Sequence, residues 1–156
     1  AEVLINAYGL DDPERYKSGE ANMLGDDSYG VHTRLLADAH AKRELPVYVY
    51  QFRRTPPRIG QTAGAHHAAE IPFVFDTHYL ELNRAGKRLT DTMVAYWTNF
   101  AKYGNPNSDT IPEWPAYDTK TKRWMILDNK SSVEADVRKE KLDAIENTFL
   151  GIMGRR

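Results

Sequence analysis

The sequence predicts an α/β architecture, and three observations carry that expectation. Residues 34–43, "RLLADAHAKR", read as a helix with Leu35, Leu36 and Ala39 on one side. Residues 46–52, "PVYVYQF", form a β-branched and aromatic run too continuous for a half-exposed edge, which suits a strand buried on both faces. Only a short connector separates the two, and helix, connector and buried strand are the rhythm of a parallel sheet covered by helices. At 156 residues, 41% of them hydrophobic and 28% charged, the chain fits a single domain, 1–156, with a core of ordinary size.

The remaining elements follow in order. "AEVLINAYG" is a short apolar opening, and "LDDPERY" is a turn that leads into a helical stretch. After the strand comes "RRTPPRIGQTAG", a loop rich in proline and glycine. Then "LTDTMVAYWTNFAKYG" predicts a strong helix. Thr90 is its cap, Asp91 suits its first turn, Leu89 staples onto Val94 and Gly104 is its stop. Its apolar positions Met93, Trp97 and Phe100 are spaced four and three apart. "NPNSDTIPEWPAYD" is a turn-rich loop before "RWMIL", a short strand expected to pair with the segment around Trp114. Ser131 and Glu134 fit a capping box for a last helix that buries Leu142, Ile145 and Phe149.

Composition excludes several classes of function. The net charge is −1 and no basic stripe is present to neutralise phosphates, so nucleic acid is not an expected partner. The longest apolar runs, such as "IPFVF", are far too short to span a bilayer, so no membrane partner is expected. The absence of cysteine removes disulfides, thiol catalysis and thiolate metal sites. No secretory signal is visible and the chain starts at Ala1, which leaves the compartment open.

The chemistry-bearing stretch is "TAGAHHAAEIPFVFD", residues 63–77. A histidine in a loop just after a buried strand sits at the carboxyl edge of a sheet, where open α/β folds place their sites. There an imidazole can stay neutral at pH 7 and reach a reacting hydroxyl. Two plainer readings stand beside this one. Both His66 and His67 are solvated loop residues in the first. In the second, His66 and Glu70, or His67 and Glu70, face one side of a helix and begin a metal site. A catalytic zinc needs three protein ligands, however, and His32, His40 and His78 offer no matching spacing, so neither metal nor cofactor is expected. No serine lies in G-x-S-x-G: Ser28 has Gly30 after it but Asp26 where the first glycine belongs, and reads as a turn or cap residue.

The order "VYVYQF", proline-rich loop, "GAHHAAEIPFVF", "YWTNFAKYGNPN", "WPAYD" and "WMILD" resembles the C-terminal third of the type-B carboxylesterases, which include the cholinesterases and the bacterial para-nitrobenzyl-type esterases. Upstream, "GDDSYGVHTRLLADAHA" is similar to the family's D-x-x-F/Y segment and its following helix, with Asp26 and Tyr29 in place. The resemblance covers residues 20–130 and implies the C-terminal part of an α/β-hydrolase fold: the last sheet strands, flanking helices and a C-terminal helix. It implies ester hydrolysis by a serine, an acid and a histidine. In the family pattern H-G/A-x-E-I/L-P-F-V-F the catalytic histidine is matched by His67, with His66 the variable residue before it. Glu70 is not the family's triad acid and is expected to order the loop behind the histidine. The resemblance also implies that serine and acid come from a missing N-terminal part of the same enzyme. The chain is therefore expected to be inactive alone, to act on a small-molecule carboxylic ester when whole, and to self-associate through an exposed sheet edge. The alternative is a cholinesterase-like adhesion or interaction domain that has lost catalysis.

Overall fold

The structure is a computed structural model that describes residues 2–55 and 64–154. It divides into two compact units: Ala1–Val47, Asp118–Thr121 and Asp136–Arg156 form a helical unit, and Tyr48–Tyr117 with Lys122–Ala135 form a sheet unit.

The helical unit contains α1 (Glu2–Tyr8), α2 (Tyr16–Gly25), α3 (Val31–Ala41) and α6 (Lys139–Met153), with a π-helical turn at Asp26–Gly30. The opening expected only to be apolar is thus a helix. Tyr8, Val31 and Ile145 form its buried cluster, with Leu4, Ala7, Leu10 and Met23 packed against them. Gly19 is required by this packing, since a Cβ there would come within 2.2 Å of the Tyr8 carbonyl oxygen. Buried Asp26 accepts from the Tyr8 hydroxyl at 2.7 Å. It also takes the Arg138 guanidinium on both oxygens, from Nε at 2.7 and 2.9 Å and from Nη2 at 2.5 Å.

Helix α3 forms where expected but buries a different face. Val31, Arg34 and Ala37 point inward, while Leu35, Leu36 and Ala39 are exposed. The reason is ionic. Arg34 donates to Asp143 at 2.7 Å and also binds Glu146, so α6 draws the arginine inward, against the hydropathy pattern. In α6 itself Leu142 and Ile145 are buried as expected, whereas Phe149 is 57% exposed.

The sheet unit holds β1 (Tyr50–Phe52), α4 (Ile71–Phe75), α5 (Arg84–Tyr103), β2 (Arg123–Leu127) and β3 (Ser132–Ala135). The strand order is β1-β2-β3. β1 and β2 are parallel, with Tyr50 opposite Met125 and Phe52 opposite Leu127, and β2 and β3 are antiparallel. β1 is shorter than the expected 46–52, although its ladder extends one residue each way through Met125 N–H to Val49 O and Arg53 N–H to Leu127 O, both 2.9 Å. Its residues are half-buried, because among the described residues β1 has a strand neighbour on one side only. β2 does not pair with the Trp114 segment. Trp114 instead docks by its side chain, donating Nε1–H to Val49 O at 3.2 Å, while Asn107 holds its backbone.

Ser132–Ala135 is a strand rather than a helix cap, and Glu134 accepts both arms of the Arg53 fork at 2.9 and 2.8 Å. Helix α5 starts earlier than its hydropathy suggested. Asn83, in extended backbone, caps it by accepting from Gly86 N–H at 2.9 Å, and Thr90 lies buried within the helix. The buried stripe is Leu89, Met93 and Tyr96, so Phe100 is half-exposed. Gly104 stops the helix as expected, at φ +68° with its N–H on Phe100 O. Phe73, Leu82, Leu89, Met93, Tyr96, Trp114, Met125 and Leu127 make up the core. Trp114 meets Tyr48, Tyr50 and Tyr96 edge to face at 5.1–6.1 Å, a preferred aromatic geometry.

Candidate active site

The histidine-bearing turn lies between the carboxyl end of β1 and α4. Residues 56–63, most of the expected proline- and glycine-rich loop, lie outside the described residues. The turn that follows has Ala69 N–H on His66 O at 3.1 Å and Ile71 N–H on Ala68 O at 3.3 Å. It then runs into α4 through Phe73 and Val74 N–H, both on Glu70 O. Pro72 suits this start, since the first turn of a helix needs no N–H there. His66 and His67 are exposed, Glu70 is half-buried and Ala69 is 3% exposed. His66 Nδ1 lies 2.9 Å from His67 O.

Ala68 has φ +64°, the left-handed region in which an L-residue with a Cβ pays about 1–2 kcal/mol. This gives the small residue after His67 a backbone reason. Position 68 is where the H-G/A-x-E pattern carries glycine or alanine, the residues that tolerate this conformation with least crowding. The turn therefore folds back sharply beside His67, buries the Ala69 methyl and leaves the imidazole exposed. Strain of this kind gathers where surrounding structure fixes a functional group.

α4 is fixed to the sheet through Phe73. This ring, 1% exposed, packs on Phe52 at the end of β1 with centroids 5.2 Å apart, and meets His78 edge-on at 4.6 Å. The Arg54 guanidinium carbon stands 5.6 Å from the ring centroid. Arg54 is itself 5% exposed; it donates Nη2–H to Asn83 Oδ1 at 3.2 Å and Nη1–H to Asn129 Oδ1. His78 Nε2 pairs with Thr90 Oγ1 at 2.9 Å. Burial pushes the His78 imidazole below its ordinary value; Asp76 opposes this and Arg54 adds to it. Burial also lowers the Arg54 guanidinium, against the charge of Asp128. The Tyr50 phenol is pushed up by burial first and then by the charge of Glu70, so Glu70 acts electrostatically on β1.

Of the residues singled out from sequence, His67 and Glu70 share this turn. Ser28 lies in the helical unit, exposed on the π-helical turn beside buried Asp26. Among the described residues no three of His, Asp and Glu gather in a group able to hold a metal. Arg54 and His78 were not anticipated. A second arginine directly after a strand, in "QFRRT", was the available signal for Arg54.

The model of the carboxylesterase family matches residues 1–145. The chain belongs to the carboxylesterase family. Rat acylcarnitine hydrolase is 33% identical over 90% of this chain and 27% of its own length. Carboxylesterase 5A of Felis catus is 30% identical over 92% of this chain and 28% of its own length. Among solved structures, a PNB esterase superimposes with TM-score 0.74 at 30% identity, covering 91% of this chain and 30% of that one. The Geobacillus stearothermophilus carboxylesterase EST55 at pH 6.2 gives 0.76 at 27% identity, covering 92% and 31%. The chain thus spans somewhat over a quarter of the length of the curated relatives it matches. Its fold is a C-terminal part of the α/β-hydrolase fold, helices around a small mixed sheet, as the sequence resemblance implied.

Proposed function

We propose that this chain is the part of a serine carboxylesterase that supplies the proton shuttle, His67, to a nucleophilic serine and a triad acid lying elsewhere in a longer protein. His67 takes the serine proton as the serine attacks the ester carbonyl, then returns it to the departing alkoxide. A carboxylate on the other imidazole nitrogen fixes the tautomer and stabilises the imidazolium. Glu70 orders the turn, its backbone oxygen starting α4 and its charge directed at β1. The substrate is a small-molecule carboxylic ester. The 156-residue chain alone is inactive, because a histidine without its nucleophile retains little of the catalytic unit. Such a chain also self-associates through β1, which has a strand neighbour on one side only among the described residues.

One observation carries the reading: in a chain of this family, His67 opens the run H-A-A-E-I-P-F-V-F, which resembles the family's histidine pattern, on a strained turn that follows the carboxyl end of a parallel strand. The test is hydrolysis of p-nitrophenyl esters of increasing acyl length by the whole protein and its His67→Ala variant. The expected loss in kcat is about 10⁴-fold or more. Parent-like turnover by His67→Ala, or His67-dependent turnover by the 156-residue chain alone, contradicts the proposal.

A further inference from the structure

We infer that Arg54 is a positioning residue for His67, acting through Phe73. The inference rests on the reading of His67 as the proton shuttle. The His67 turn runs directly into α4, and α4 has five residues, too few to be stable by themselves. Phe73 is the buried residue of α4 and joins it to the core, with Val74 packed beside it. The ring is enclosed by Phe52 from β1, His78 from the segment before α5, and the guanidinium of Arg54.

Arg54 is built for this task in three respects. It follows β1 by two residues, so it moves with the strand that precedes the histidine turn. Its two terminal nitrogens reach the cap of α5 at Asn83 and the loop after β2 at Asn129, so one side chain joins two loops and a helix end. Space has been left for it: a Cβ at Gly86, in the first turn of α5, would stand 2.8 Å from Nη2 and 3.3 Å from the guanidinium carbon.

Its partners are the telling feature. Among the described residues no carboxylate lies within ion-pair reach of this buried cation, and its Nε, also buried, has no hydrogen-bond partner. The proline-rich segment 56–63 that follows contains no acid. A cation retained in such surroundings contributes little as an ion pair. Its geometry explains its presence better, because a planar fork held on two amides, with its central carbon over the Phe73 ring, favours one position of that ring. Phe73 in turn fixes the turn through Phe73 N–H to Glu70 O, Ile71 N–H to Ala68 O and Ala69 N–H to His66 O.

The experiment measures kcat and KM of the whole protein on p-nitrophenyl acetate for Arg54→Met, Arg54→Lys and Gly86→Ala, with His67→Ala as reference. A displaced general base lowers kcat about 10- to 100-fold while KM stays within about threefold of the parent. Arg54→Lys restores part of the loss, keeping the charge but not the fork. Gly86→Ala lowers kcat in the same sense, although it removes no group from Arg54. If Arg54→Met does not fold, Gly86→Ala decides alone. Folded Arg54→Met and Gly86→Ala proteins with parent kcat overturn the inference while an inactive His67→Ala leaves the proton-shuttle reading intact. A His67→Ala protein with parent kcat overturns both.

Discussion

The two units bury charge in opposite ways. In the helical unit each buried charge meets its counter-charge: Arg34 binds Asp143 and Glu146, and Asp26 takes the Arg138 fork and the Tyr8 hydroxyl. Burial works against ionisation of Asp143, yet Lys139 and Arg34 outweigh it and hold its carboxyl below the usual range. In the sheet unit the buried cation Arg54 has two neutral amides and a ring, with Nε left over. These closed ion pairs tie α6 and the segment before it to α3 and to the π-helical turn. An incompletely satisfied cation over the Phe73 ring, in the helix that follows a strained turn, is the arrangement expected where geometry has been favoured over stability.

The largest expected effect comes from breaking the closed pair. Asp26→Ala strands the Arg138 guanidinium and the buried Tyr8 hydroxyl. Removing one member of a buried pair costs roughly 3–5 kcal/mol, and partial exposure of Arg138 puts the expected loss at the lower end, about 3 kcal/mol. Chemical denaturation of the whole protein measures it, and a loss below about 1 kcal/mol would make the helical unit's ion pairs as dispensable as surface ones.

A smaller effect is expected at the turn. Ala68→Val forces a β-branched side chain into the left-handed region and costs about 1–2 kcal/mol, whereas Ala68→Gly is neutral or slightly stabilising. Equal melting temperatures for the two variants would remove the strain from the account. Asn83→Ala takes away both the α5 cap and an Arg54 partner, with about 1 kcal/mol expected for the cap.

The smallest effect is a dependence on pH. The folded His78 imidazole lies below its ordinary 6.5, so the unfolded chain binds the proton first as pH falls. Stability therefore declines as pH drops from about 6.5 toward the folded value and is flat above it. His78→Asn should remove that slope in thermal melts; an unchanged slope would mean that His78 is not its source.

What could be read from the sequence divides along the same line as these contacts. Local signals were legible: the Gly104 stop, the inward-facing Leu142 and Ile145, and the ordered run of segments over residues 20–130, which together pointed to family and fold. Long-range pairing was not. Leu35 and Leu36 read as a core face because hydropathy cannot register that Asp143 and Glu146, over a hundred residues away, draw Arg34 inward. Glu134 read as a helix cap because its partner Arg53 sits on a distant segment. Thr90 read as the cap because the true start at Asn83 lies outside the apolar pattern, and at Gly86 the missing Cβ has its reason in the Arg54 guanidinium and Leu82 beside it. At the site, His67 and Glu70 could be named from the chain, whereas Arg54 and His78 required the sheet, α4 and α5 together.

The most direct measurement is the second-order rate at which a fluorophosphonate probe labels the serine of the whole protein, compared among the parent, His66→Ala and His67→Ala. The probe reacts only with a serine whose proton is being taken, so the rate reports the general base itself. The account predicts a loss of about 10³-fold or more for His67→Ala and a change within about threefold for His66→Ala. Labelling that survives in His67→Ala, or that disappears in His66→Ala instead, contradicts it.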